Sequence, residues 1–134
     1  MRETMRCYCG QLSITVSAPP VHHHGCACTL CQRRSGSVMT ETGWFREADI
    51  AEISGEMRLW HSAGDDRPDI VTASCAVCGG GGYARTGDYL PGTLALPMGG
   101  FVGAFGPPDH VHFWGYRADW FSLDCAAVAL HEDP

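Results

Sequence analysis

A chain of 134 residues, 45% hydrophobic and 18% charged, has the composition of one globular domain (1–134) without room for a second ordinary one. Its formal net charge of -6 argues against a nucleic-acid or anionic-membrane partner, since both call for a basic face. No stretch has the length of a signal-peptide core or a membrane span, so the expected compartment is the cytosol, where thiols stay reduced.

With Gly 17 and Pro 8, the chain calls for many turns and short strands. Gln11 to Ser17 alternates, with Leu12, Ile14 and Val16 on one side, and predicts a half-buried strand that Pro19-Pro20 stops. A helical turn is expected over Thr29 to Arg34, closed by Gly36. Strands are expected over Val38–Phe45, at the end of Ala48–Ile53 after a turn, over Met57–His61 and over Ile70–Ser74. Ser62 to Pro68 reads as a polar loop and Pro97 to Pro108 as a Gly- and Pro-rich one. Further strands are expected at Tyr83–Arg85, Leu90–Leu96 and His110–Tyr116, with Trp120–Leu123 pairing to the last of these. No segment keeps a helical apolar stripe over three turns, so the fold class is mainly β.

All of the eight cysteines except Cys125 fall in three tight clusters: Cys7 and Cys9; Cys26, Cys28 and Cys31; Cys75 and Cys78. In a reducing compartment, C-x-C and C-x-x-C spacings point to metal ligation over disulfides. Cys7 and Cys9, two apart on an extended backbone, point to one face. Cys75 and Cys78 suit a tight turn, with Gly79 free to take positive φ. Two such pairs complete a four-thiolate zinc site that is closed and structural, contributing about 10 kcal/mol of apparent folding free energy. Cys26, Cys28 and Cys31 supply three ligands and leave a fourth position for an exogenous thiol. Two other groupings fit the spacing equally. Cys28 and Cys31 can join Cys75 and Cys78 in a ribbon, or one of His22, His23 and His24 can close the cluster of three.

Cys-x-Cys-Gly, then Cys-x-Cys-x-x-Cys-x-Arg-x-Ser-Gly, then Cys-x-x-Cys-Gly, in this order, resembles the glutathione-dependent formaldehyde-activating enzyme family, which takes in centromere protein V-like zinc proteins. His110-x-His112-x-Trp114 followed by Trp120 is similar to that family's C-terminal pattern, and the resemblance runs over a core of about 5–123. It implies twisted antiparallel β-sheets bearing zinc knuckles. It places Cys7, Cys9, Cys75 and Cys78 on a structural zinc, and Cys26, Cys28 and Cys31 on a second, catalytic one where glutathione binds. The implied reaction adds glutathione's thiol to formaldehyde or a similar small aldehyde, as an S-(hydroxymethyl)glutathione synthase does; named in reverse it is a carbon–sulfur lyase. The alternative is a non-catalytic zinc protein that carries a thiol ligand or binds a protein partner. Two features depart from the family pattern: Ala27 stands where many members have His, and Gly79 to Gly82 is unusually glycine-rich.

Arg33 and Arg34 follow the central cluster, and family position favours Arg33 as the clamp for a glutathione carboxylate. The Gly79–Gly82 run lacks the Lys-Ser or Lys-Thr of a phosphate loop and fits clearance around a zinc knuckle. His22 to His24 read as surface residues at a strand end, and His110 and His112 as packing residues on one strand face. Trp44, Trp114 and Trp120 are expected in the core, and Cys125 as a small buried hydrophobe.

Overall fold

The computed structural model describes residues 1–62 and 69–134, and is built mainly from short strands. The loop expected over Ser62–Pro68 therefore lies, except for Ser62, outside the described residues. Two compact units emerge: Met1–His22 with Gly43–Phe105, and His23–Thr42 with Gly106–Pro134.

In the first unit, β1 (Glu3–Arg6), β2 (Ser13–Val16) and β5 (Ile50–Ser54) form a three-stranded antiparallel sheet in the order β1-β2-β5. Ile14 and Val16 on β2 are fully buried, as their alternation predicts, and Leu12 just before the strand is buried with them. Thr15, on the opposite face, is buried too, because its hydroxyl meets that of Thr4 at 2.8 Å. A second run of strands takes the order β9 (Thr93–Pro97), β8 (Gly81–Thr86), β7 (Ile70–Cys75), β6 (Met57–Ser62). The main core gathers Met5, Ile14, Val16, Phe45, Leu94, Leu96, Met98 and Phe101. Phe45, Phe101 and Phe105 meet there with ring centroids 5.1 to 5.9 Å apart. A second cluster places Leu12 against Cys7 and Cys75, with Met57 and Cys78 at its rim. The expected loop after Pro97 begins with a 3-10 helix, Met98–Phe101, which buries Met98 and Phe101.

In the second unit, β3 (His22–Cys26), β10 (His110–His112) and β11 (Ala129–Leu130) run parallel, in the order β11-β10-β3. The helix α1 (Thr29–Ser35) follows β3 and ends at Gly36, whose φ of 66° and N–H to the Gln32 carbonyl (2.8 Å) make a left-handed C-cap. β4 (Thr40–Arg46) then carries the chain from this unit back into the first.

Several expectations are corrected. The strand predicted over His110–Tyr116 stops at His112, because Phe113 takes a left-handed φ of 55° and a 3-10 helix, Trp114–Tyr116, follows. Trp120–Leu123 forms no strand, and Trp120 is 77% exposed, whereas Trp44 and Trp114 are buried as expected. Arg117 pins this segment instead: its guanidinium lies 4.4 Å from the centre of the Trp114 ring and donates to the carbonyls of Trp114 and Phe121. His22–His24 form the body of β3, with His23 buried and 2.7 Å from the Glu41 carboxylate. Cys125 is exposed.

Candidate metal centre

The sulfurs collect into two groups, Cys7 with Cys9, Cys75 and Cys78, and Cys26 with Cys28 and Cys31, with all ligand atoms in each group within 4.8 Å of one another. Neither alternative grouping forms: among the described residues no ribbon of Cys28, Cys31, Cys75 and Cys78 assembles, and no histidine completes the group of three. In the four-sulfur group, Cys7 to Cys9 and Cys9 to Cys75 are each separated by 3.7 Å. A tetrahedral ion with bonds of about 2.3 Å to sulfur has edges of roughly 3.8 Å, so this donor set fits zinc.

Local structure explains why these four sulfurs meet. β1 stops at Arg6, and Cys7-Tyr8-Cys9 is a turn, closed by the Gly10 N–H on the Cys7 carbonyl at 3.1 Å. The extended backbone expected there is thus replaced by a knuckle. Cys75 ends β7 and starts a second knuckle, with Gly79 at φ 76° donating to the Cys75 carbonyl at 3.0 Å. Leu12 N–H lies 3.3 Å from the Cys7 sulfur, Val77 and Cys78 N–H each 3.4 Å from that of Cys75, and Gly80 N–H 3.3 Å from that of Cys78. Clearance accounts for Gly80, where a Cβ would sit 3.2 Å from the Cys78 sulfur and 3.3 Å from Cβ of Cys7, whereas an added Cβ at Gly79 would meet nothing within 4 Å.

These donors favour thiolate. Cys75 is held at about 6, first by the Cys78 N–H, against the opposing effect of burial, with Val77 N–H, the Gln11 amide and Cys7 adding to it. At Cys7 burial pushes upward, but the Leu12 N–H and the thiols of Cys78 and Cys9 outweigh it and hold the group below its ordinary 9.0. Cys9 goes the other way, to about 11: the Gln11 N–H lowers it, and burial with its three sulfur neighbours raises it more. Gln11, expected only as the start of a strand, bridges the centre: its amide donates to the Cys75 sulfur at 3.1 Å and to the Glu56 carbonyl at 3.0 Å.

The three-sulfur group stands at the junction of β3 and α1. Cys26 is the last residue of β3, Cys28 is the N-cap of α1, and Cys31 lies within its first turn. The Cys28 sulfur accepts the Cys31 N–H at 3.3 Å, so the residue that caps the helix also faces the cluster. Gln32 ties the helix down through its amide, which donates to the Ala27 carbonyl at 2.8 Å and the Tyr116 carbonyl at 3.0 Å. Cys31 is brought down to about 5, first by the hydrogen bond from Cys26, against burial, then by Cys28, Thr40 and the charge of Arg34. Cys26 is pushed far up, first by that same bond and then by burial. Arg33 and Arg34 occupy the exposed last turn of α1. Thr40 and Gln32 gave no sequence signal, since neither sits at a spacing tied to the cysteines.

A third constellation lies beside this one. His112 on β10 is the register partner of Cys26 on β3. Its Nδ1 lies 3.0 Å from the carboxylate of Asp133, which also accepts the Phe113 N–H at 2.9 Å. That N–H first, opposed by burial and joined by His112 and the charge of His131, holds the Asp133 carboxyl below its ordinary 3.8.

No helix among the described residues is long and apolar enough to cross a membrane. The chain is similar to a Sordaria macrospora protein named "Putative glutathione-dependent formaldehyde-activating enzyme", with 25% identity over 111 residues, which cover 72% of this chain and 46% of that protein. It therefore spans about half the length of that curated relative. The family model described as "Glutathione-dependent formaldehyde-activating enzyme" matches residues 2–115, which takes in both sulfur groups. The chain belongs to the glutathione-dependent formaldehyde-activating enzyme family.

Proposed function

We propose that the chain, acting as one zinc-binding domain over 1–134, adds a glutathione-type thiol to formaldehyde or a similar small aldehyde at Cys26, Cys28 and Cys31. The observation that carries this reading is the count of ligands. Four sulfurs close one centre, whereas the other has three and, among the described residues, no fourth side chain. Zinc held by three cysteines has a position left for an incoming thiol and, when bound, keeps it as thiolate near neutral pH. Cys7, Cys9, Cys75 and Cys78 hold a second zinc ion that is structural and slow to leave, while the one at the three-cysteine centre is the more labile.

The chain's own residues supply the rest. Thr40 and Arg34 add to the hydrogen bonds from Cys26 and Cys28 in favouring negative charge on Cys31. Gln32 anchors α1 at two carbonyls, which fixes Cys28 and Cys31 against β3 before any ligand arrives. Arg33, exposed on the last turn of the same helix, is assigned to a carboxylate of the thiol ligand, which a guanidinium recognises through paired hydrogen bonds. Addition of a thiol to formaldehyde needs little beyond approach and orientation, and a preset site contributes most there. A reducing cytoplasm suits such a site, since it keeps both the ligating cysteines and the substrate thiol unoxidised.

Cys28→Ser is the test. Serine keeps an N-cap oxygen for α1, so the fold should survive, by circular dichroism and urea unfolding, while glutathione binding measured by calorimetry disappears. Unfolding of Cys28→Ser, or glutathione binding at wild-type affinity, would show that the ligand grouping is wrong.

A further inference from the structure

The three-cysteine centre has one polar neighbour that the thiol chemistry above does not use. His112 pairs in register with Cys26, and its carbonyl accepts the Ala27 N–H at 3.0 Å. Register partners on adjacent strands present their side chains to the same sheet face, so the imidazole and the Cys26 side chain share one face of the sheet. The order β11-β10-β3 puts the C-terminal tail on one side of His112 and Cys26 on the other. The tail is held along β10 by backbone bonds from His131 N–H to the Val111 carbonyl (2.9 Å) and from Trp114 N–H to the His131 carbonyl (2.8 Å). It brings Asp133 to Nδ1 of His112, and the His131 ring stacks on that of His112 at 4.7 Å with an interplanar angle of 12°. Ring position and tautomer are therefore both set from the tail side. The two nitrogens of an imidazole point in nearly opposite directions. With Nδ1–H given to Asp133, Nε2 is left as an acceptor on the part of the ring away from the tail.

We propose that Nε2 of His112 receives the hydroxyl of the thiol–aldehyde adduct, with Asp133 as the positioning residue that aims it; this deepens the thiol-addition reading and rests on it. In the addition a sulfur–carbon bond forms, the carbonyl π bond opens onto oxygen, and the hydrogen leaving the thiol ends on that oxygen. The adduct thus carries an O–H where the aldehyde had none. An acceptor at this spot favours adduct over aldehyde and does nothing for the thiol alone. Asp133 lies beyond residue 115, where the family match stops.

The experiment is calorimetric titration of the zinc-loaded full chain with glutathione, with and without formaldehyde. His112→Gln puts an amide near the place of Nε2, whereas His112→Asn puts one near Nδ1 and leaves the Nε2 position empty. Formaldehyde should tighten apparent glutathione affinity in wild type and His112→Gln by about fivefold more than in His112→Asn, the weight of one neutral hydrogen bond. All three should bind glutathione equally when formaldehyde is withheld. If His112→Asn gains as much as wild type, the assignment of His112 falls and the thiol site stands. If wild type binds no glutathione, the thiol site falls and this inference with it. Nitrogen-15 spectra of the imidazole supply a second route should His112→Asn not fold. Wild type and Asp133→Asn should show the Nδ1–H form, and Asp133→Ala a tautomer mixture with a smaller formaldehyde gain. An unchanged tautomer in Asp133→Ala would overturn the positioning role.

Discussion

Leu12 and Gly82 meet under the four-sulfur centre, and changing them separately and together tests whether that centre is braced by close packing. Leu12 is fully buried against Cys7 and Cys75. Truncation to Ala removes its transfer free energy and leaves a void, a loss of about 2–5 kcal/mol. Gly82→Ala acts in the opposite sense: its Cβ would stand 2.8 Å from Cδ2 of Leu12 and 2.9 Å from the Ala73 carbonyl oxygen. Both distances lie inside van der Waals contact, and overpacking of this kind costs about 1–3 kcal/mol. In the double variant the Leu12 contact is gone while that with the Ala73 backbone persists, so relief is partial. The double variant should be more stable than the sum of the two losses by roughly 1 kcal/mol. Urea unfolding of zinc-loaded protein measures all three, and chelator-driven zinc release should quicken at the four-sulfur centre in each single variant. Additivity within about 0.3 kcal/mol, or a neutral Gly82→Ala, would refute the packing argument.

Gly36→Ala should cost about 1 kcal/mol through its left-handed backbone alone, since an added Cβ meets nothing within 4 Å. Amide exchange at Gly36 and its neighbours should quicken, and unchanged exchange would remove the C-cap argument. Asp133 gives a pH prediction. Its carboxyl is held below 3.8 in the folded chain, so its stabilising contribution is present above that value and lost as pH falls through the lowered one. The tail resonances of His131 to Pro134 should therefore move toward disordered values below about pH 4 in wild type, and Asp133→Asn should lack that step. A wild-type tail unmoved by acid would contradict the Asp133 contacts.

Much of this was legible in the sequence where the signal is local. The cysteine spacings anticipated the pairs Cys7/Cys9 and Cys75/Cys78 and the cluster of three, because one or two intervening residues can hardly separate sulfurs once the chain turns, whereas the joining of the two pairs in one centre was singled out by the family resemblance alone. β2 and α1 were readable from alternation and from Gly36. β3 was hidden because three successive histidines show no polarity pattern, and only the structure distinguishes buried His23 from its neighbours. The aromatic run after His110 overstated its strand, since Phe113 turns away to let Asp133 accept its N–H, a contact across 20 residues. Trp120 and Cys125 are exposed for lack of an element to cover them, which residue type alone does not reveal. Gln11, Thr40 and Gln32 act through tertiary contacts with no spacing rule behind them.

Anomalous diffraction at the zinc edge, from crystals of metal-replete protein, measures the division of sulfurs directly. Two peaks are predicted. One should lie at about 2.3 Å from each sulfur of Cys7, Cys9, Cys75 and Cys78, and the other at that distance from Cys26, Cys28 and Cys31, with a fourth ligand from outside the chain. A single peak at the first group, or a second one closed by a fourth protein side chain, would contradict an open thiol-accepting centre.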